Sequence, residues 1–362
     1  MPVMWLIGGA LIYLAIKKDM EPTLLLPMGF GAILMNLPVP LVKDATGALV
    51  ESEGVSEILG TLYNAGIANE LFPLILFIGI GAMIDFGPLL SNPKMLLFGA
   101  AAQFGIFFTY FVAGFFFDLK DAASIGIIGA ADGPTAIVVS QTLKSNYISA
   151  ITVAAYSYMA LVPIIQPPVI KAITTKKERL IRMEYKPASV SKTTRILFPI
   201  IITVLAGLFA PASVALVGFL MFGNLIRECG VLDNLSATAQ KELANLVTLF
   251  LGITIAFTMR GDRFLTPATL LIMGLGLFAF VFDTVGGVML AKLLNLFSKK
   301  KINPMVGAAG ISAFPMASRV VHKMGLKEDP QNFLLMHSAA ANVSGQIASV
   351  IAGGLILGLV QG

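Results

Sequence analysis

Gly129-Ala-Ala-Asp-Gly-Pro-Thr135 interrupts an otherwise apolar run, Ala122–Leu143, and puts a carboxylate in its middle. Proline removes a backbone donor and clashes with the preceding turn, so the run is not one continuous helix. Its flanks are apolar enough to enter a bilayer. At that depth, unsatisfied backbone survives only inside protein or along a wet cavity. The stretch is therefore expected to form a broken or re-entrant hairpin, 122–143, with Asp132 at the break. Asn303–His322 has the same character, punctuated by Pro304, Gly307, Gly310 and Pro315. It is read as a second hairpin, 303–322.

The rest of the chain agrees with a membrane setting. Of 362 residues, 57% are hydrophobic and 12% charged, with a mean hydropathy of +0.86. A soluble domain carries about 25% charged residues. This composition excludes a soluble enzyme, a disordered chain and a nucleic-acid-binding domain. The net charge of +5 and pI near 9.2 fit basic cytoplasmic loops better than a polyanion partner. A single cysteine, Cys229, excludes an intrachain disulfide and a cysteine-cluster metal site. His322 and His337 stand fifteen residues apart, which argues against a histidine metal site. No Walker-type loop is present, which argues against direct ATP use.

Val3–Ile16 is apolar and followed by Lys17 and Lys18, the reverse of a secretory signal, so 1–19 reads as an anchor helix. Further apolar stretches lie near 22–38, 71–87, 95–117, 147–171, 195–210, 212–226, 243–259, 266–294 and 333–360. The expected fold is an all-α polytopic membrane protein with about ten transmembrane helices and two broken hairpins. Lys171, Lys176, Lys177, Arg179, Arg182, Lys186, Lys192 and Arg195 make the long hydrophilic stretch basic. Lys17–Lys18 and Lys299–Lys301 are the other basic clusters, whereas loop 42–57 carries Asp44, Glu51, Glu53 and Glu57. Basic loops on the cytoplasmic side leave both termini outside, with Arg260 and Arg263 as the misfits.

Three stretches recur in order. Pro27–Asn36 echoes Leu216–Asn224, Glu70–Gly79 echoes Glu242–Gly252, and Gly129–Ile137 echoes Gly307–Pro315. With the charge-based orientation, each matched pair runs oppositely across the bilayer. The expectation is an inverted-topology repeat, 20–171 and 195–362, joined by a basic cytoplasmic loop, 172–194. In that architecture broken helices of the two halves face each other around a midplane site.

A carboxylate in a membrane interior is costly and functional by default, which singles out Asp132. Beside it, Thr135 offers a hydroxyl, and Gly133 and Pro134 keep backbone carbonyls free. The second hairpin supplies Asn303, Ser312 and Arg319, and the last helix Asn342 and Ser344. One carboxylate facing neutral oxygens suits a monovalent cation better than a divalent one. Tyr156 and Tyr158 read as packing or polar lining. Asp283 is a second acid deep in an apolar run, to pair with a base, relay protons or sit at an interface. Asp85 and Lys94 read as a polar helix connection.

These residues resemble the β subunits of the sodium-pumping, biotin-dependent decarboxylases of oxaloacetate, methylmalonyl-CoA and glutaconyl-CoA. The resemblance is carried by Gly79–Pro88, Gly126–Ile137, Ala154–Pro163, Gln166-Pro-Pro168, Lys301–Pro304, Pro315–Arg319 and Gln331–His337. It implies an elevator-type subunit of a bacterial inner membrane that decarboxylates carboxybiotin, consumes a proton and exports sodium. It ties Asp132, Tyr158, Asn303, Gly307, Ser312, Arg319 and Asn342 to sodium or coupling. Asp132, Asn303, Ser312 and Asn342 would be sodium ligands, Tyr158 the proton donor, and Arg319 the group that orients carboxybiotin. No Ala-Met-Lys-Met biotinylation motif occurs, so biotin would arrive on a carrier subunit. A carboxyltransferase α subunit, a small membrane γ or δ subunit and further copies of the chain complete the implied complex. Ser338–Ala341 and Asp283 depart from the family pattern. A sodium–carboxylate symporter of inverted-repeat design is the alternative; a passive channel does not explain paired broken hairpins.

Overall fold

The computed structural model describes residues 2–18, 21–38, 41–43, 49–51, 54–184 and 189–361. Asp44, Glu53, Lys186 and the side chains of Glu51 and Arg263 lie outside the described residues. Among the described residues, the regular structure is helical apart from a short antiparallel ladder of β1 (Leu41–Lys43) with β2 (Leu49–Glu51). Its first helices are α1 (Pro2–Lys18), α2 (Pro22–Met35), α3 (Gly54–Gly66), α4 (Leu71–Met83) and α5 (Gly87–Ser91). Next come α6 (Leu96–Ala102), α7 (Phe104–Ala113), α8 (Leu119–Gly126), α9 (Gly133–Thr142), α10 (Ile148–Ile173) and α11 (Lys176–Arg179). The second half holds α12 (Lys192–Phe209), α13 (Val214–Glu228), α14 (Asp233–Thr238), α15 (Ala244–Ile255) and α16 (Gly261–Phe264). It ends with α17 (Pro267–Phe297), α18 (Met305–Ala308), α19 (Met316–Glu328) and α20 (Leu335–Gln361).

Among the described residues six helical stretches are long and apolar enough to cross a membrane: Pro93–Ala113, Ile148–Ile173, Lys192–Phe209, Asp233–Thr258, Pro267–Phe297 and Leu335–Gln361. A seventh forms if α3 and α4, bent by 60°, count as one span. The remaining crossings expected from the sequence would fall on α1, α2, α4 and α13. These have 17, 14, 13 and 15 residues, short of the about 20 a bilayer requires. Large apolar side chains such as Phe111, Phe209 and Phe297 point outward, as a lipid-facing perimeter requires.

The echoed segments pack in exchanged pairs: α2 lies against α15, and α4 against α13. At the second contact the backbones touch. A Cβ on Gly81 would sit 1.8 Å from the Leu220 carbonyl oxygen, and one on Gly223 would sit 2.0 Å from that of Ile78. Small residues permit this approach where lipid supplies no hydrophobic drive for helices to associate. Matching asparagines finish both pairs. The Asn36 amide donates to the Met259 carbonyl beyond α15 at 2.8 Å, and that of Asn224 donates to the Ile84 carbonyl beyond α4 at 3.0 Å.

Both interrupted segments are broken as their sequences require. In the first, α8 ends at Gly126, a tight 3-10 turn covers Ile127–Ala130, Ala131 is left-handed (φ 50°), and Asp132 is extended before α9. The second has α18, an irregular stretch 309–315, then α19. The breaks touch: the Ser312 amide donates to the Ala130 carbonyl at 3.2 Å, and its hydroxyl to the same oxygen at 2.5 Å.

Candidate functional site

Asp132 caps α9. Its Oδ1 accepts from the Thr135 amide at 3.3 Å, and its Oδ2 from the Thr135 hydroxyl at 2.8 Å and the Ser349 hydroxyl at 2.9 Å. A carboxylate at a helix N-terminus is favoured by the free amides and the helix dipole, which lets an acid persist at 3% exposure. Gly133 is imposed by Tyr156, because a Cβ there would lie 2.2 Å from the ring. Ala131 holds a backbone conformation that costs a non-glycine residue about 1 kcal/mol or more. The meeting of the two breaks keeps it there.

A cavity of about 340 Å³ runs between the breaks and is lined by Asp132, Pro134, Ser312, Pro315, Arg319 and Gln346, among others. Arg319 is exposed and Asp132 buried, so the cavity joins an outward guanidinium to an inner carboxylate. Glu21, before α2, lies within electrostatic reach of Arg319. Facing the breaks, α20 holds Asn342, whose amide donates to the Ile311 carbonyl at 2.7 Å, and Gln346, whose amide donates to the Ser312 carbonyl. The Asn342 and Gln346 side-chain oxygens are buried without a donor among the described residues. No three His, Cys, Asp or Glu converge among the described residues. The donor set is one carboxylate with neutral oxygens, which matches a hard monovalent cation.

A protein-family profile described as "Na+-transporting oxaloacetate decarboxylase beta subunit" matches residues 1–360. The chain belongs to this family. It is 50% identical over 372 residues to the methylmalonyl-CoA decarboxylase subunit beta of Propionigenium modestum, covering 99% of this chain and 94% of that one. It is 46% identical over 407 residues to the oxaloacetate decarboxylase beta chain of Klebsiella pneumoniae, with 98% and 94% covered. It is 47% identical over 360 residues to the Veillonella parvula methylmalonyl-CoA decarboxylase subunit beta, with 99% and 93% covered. With its apolar helices, this β subunit is a multi-pass membrane protein.

The residues expected to act in this β subunit divide into two groups. Asp132, Gly133, Pro134, Thr135, Ser312 and Arg319 gather at the breaks and their cavity, and Asn342 reaches the second break through Ile311. Gly307 packs backbone to backbone on α17, where a Cβ would meet the Gly287 carbonyl at 2.0 Å. Asn303 stands apart. Its amide donates to the Arg179 and Ile181 carbonyls at 2.9 and 2.8 Å, and its oxygen accepts from the Met305 amide at 3.1 Å. In this conformation it fastens the basic loop and does not line the cavity. The Tyr158 hydroxyl donates to the Met273 carbonyl, and its ring shares the Gly276 face of α17 with Ile128 of the first hairpin. The tyrosine against the break itself is Tyr156. It is 1% exposed, its hydroxyl has no partner among the described residues, and it lies within electrostatic reach of Asp132 and Glu21.

Sequence reasoning missed Gln346 and Ser349. They follow Asn342 by four and seven residues on one helical face, a spacing that groups them with Asn342 but does not by itself separate a ligand from a helix-packing hydrogen bond. Asp283 meets no base among the described residues. Its Oδ1 accepts from the Ile106 amide at 3.1 Å where Pro93–Ala113 is interrupted, acting as a cap for α7, while Oδ2 faces Gly129. Asp85 accepts from the Gly87 amide at 2.8 Å and pairs with Arg195 at 3.6 Å, as a polar helix connection would.

Proposed function

We propose that this β subunit decarboxylates carboxybiotin delivered by a carrier subunit and couples the reaction to sodium export, with one proton consumed. The carrying observation is the membrane-buried Asp132 carboxylate at the contact of two helix breaks, in one cavity with Arg319. Loss of carbon dioxide from an N-carboxyl group leaves an electron pair on the ring nitrogen, which takes up the proton. Arg319 orients the incoming carboxylate, since guanidinium stays charged and binds carboxylates through two parallel bonds. Asp132, Ser312 and Asn342 hold sodium, with Asn303 as a further ligand in a different arrangement of the second hairpin. Tyr158 carries the proton, assisted by the charge of the bound cation. Gly133, Pro134, Thr135 and Gly307 keep the breaks open and tightly packed.

The proposed inverted repeat favours transport by movement. The exchanged packing of α2 with α15 and α4 with α13 is what a two-fold relation between the halves requires, and such repeats work by rocking one bundle against the other. Ion pairs Arg179–Glu328, Arg182–Asp329, Lys292–Glu178 and Arg195–Glu228 cluster at the end read as cytoplasmic. This is the side where a soluble carboxyltransferase α subunit and a biotin carrier would dock. A small membrane subunit and further copies of the chain belong to the same proposal.

The test uses the complex affinity-purified with whatever subunits accompany the chain, identified by mass spectrometry. Sodium-stimulated decarboxylation abolished by avidin is expected. Uptake of a radiolabelled carboxylate with sodium and no biotin would instead make the chain a symporter.

A further inference from the structure

We infer that Gln346 is a ligand of the same cation, placed opposite Asp132 and setting the site's affinity and its preference for a monovalent ion. The inference rests on the proposed sodium site and adds a wall to it from α20. Gln346 is 4% exposed and lines the cavity that holds Asp132. Its amide orientation is fixed by chemistry. The Ser312 carbonyl can only accept, so Nε2 must face it, and Oε1 is left buried with no donor among the described residues.

A buried amide oxygen without a donor is unfavourable unless water or an ion reaches it, and the cavity beside Gln346 has room for one. Its surroundings explain why it persists. One turn later on α20, the Ser349 hydroxyl donates to Asp132 Oδ2, where the Thr135 hydroxyl also donates. Those bonds hold one carboxylate oxygen. Among the described residues Asp132 Oδ1 accepts only the 3.3 Å bond from the Thr135 amide, which leaves lone pairs for a cation. One turn earlier, the Asn342 oxygen is also without a donor. The helix thus carries two neutral oxygens without a donor among the described residues, at 342 and 346, on side chains whose NH2 groups bond the second break. A carboxylate and amide oxygens neutralise one positive charge, which favours sodium over a divalent ion. Ligation by Gln346 would also bind α20 to the second break, because the same amide holds Ser312.

The experiment compares Gln346→Met, Gln346→Glu and wild type in the purified complex. Decarboxylation is followed against sodium chloride, with choline chloride keeping ionic strength constant. In parallel, sodium is titrated against the unfolding temperature of the β chain in detergent. Gln346→Met keeps volume and removes the oxygen. It should raise half-saturating sodium about tenfold or more and lose most of the sodium-induced stabilisation. Gln346→Glu keeps shape and adds a second carboxylate. It should make sodium activation steeply pH-dependent and let calcium compete. Unchanged sodium dependence and stabilisation in Gln346→Met would overturn the assignment. If Gln346→Met does not assemble, a Gln346→Glu complex with wild-type sodium and pH dependence would overturn it equally. A wild-type complex neither activated nor stabilised by sodium would overturn the sodium site as a whole, a failure distinct from that of Gln346 alone.

Discussion

Asp132 combines two demands on one side chain. Oδ2 belongs to the structure through Thr135 and Ser349, whereas Oδ1 is only weakly engaged. Asp132→Asn keeps a cap of comparable strength but removes the charge. Coupled turnover should fall to background while the complex still assembles; near-wild-type sodium transport in that variant would remove Asp132 from the site. Arg319→Lys keeps the charge and loses the planar fork. It should raise the carrier concentration needed for half-maximal decarboxylation about tenfold or more, with a smaller change at saturation; a silent substitution would remove Arg319 from carboxylate recognition. Asp132 was legible because an acid between Gly and Pro in an apolar run has no bland use. Gln346 and Ser349 were not, because polar residues on a buried helix more often bond a neighbouring helix. Only the break lying opposite α20 tells the two cases apart.

The basic loop gained more structure than its composition announced. Charge alone marks Lys171–Arg195 as cytoplasmic, yet Thr174–Met183 is clamped to the end of α19 and the turn after it, and to Asn303. Arg179 reaches Glu328 at 2.8 Å and the Thr174 carbonyl at 2.6 Å, Arg182 reaches Asp329 at 2.5 Å, and Asn332 donates to the Arg179 carbonyl at 3.0 Å. Asn303 joins this clamp, which explains why a residue of the family motif is absent from the cavity. The hydrogen bond from Arg182, with that from the Gln331 amide, holds the Asp329 carboxyl below the usual aspartate range. A carboxylate depressed in the folded state contributes stability above its unfolded pKa of about 3.9 and loses it as pH falls through the folded value. Hydrogen exchange of 174–184, corrected for intrinsic rate, should therefore quicken as pH drops below about 4. Asp329→Asn should reproduce that quickening at neutral pH; unchanged exchange in the variant would show that the other contacts suffice. Helix breaks were legible from Gly and Pro, whereas this clamp depends on partners about 150 residues away in the chain.

At the scale of the whole molecule, the cavity at Asp132 shares its lining with exposed Arg319, which the proposed orientation puts towards the cytoplasm. The far end of the first hairpin is closed. There the Thr142 hydroxyl donates to Glu70 at 2.8 Å, and the Gln141 amide donates to the Ala68 carbonyl at 3.1 Å. Both bonds join α9 to the turn before α4, and α4 is packed backbone to backbone on α13. If sodium leaves on the outer side, the path must open where α9 meets that turn, because the α4–α13 contact has no slack. The sole native thiol is Cys229, so Cys229→Ser gives a clean background for Glu70→Cys with Thr142→Cys. Linking the new pair with a short bifunctional thiol reagent should stop sodium-coupled turnover, and cleaving the link should restore it. Each single cysteine, treated alike, should remain active. The linked protein should still stop when carboxybiotin and sodium are saturating, since the block lies in the movement and not in binding. Full coupled transport by the linked protein would mean that the hairpin does not move against α4. The two breaks would then enclose a fixed path, and the exchanged packing of the halves would be a matter of assembly alone.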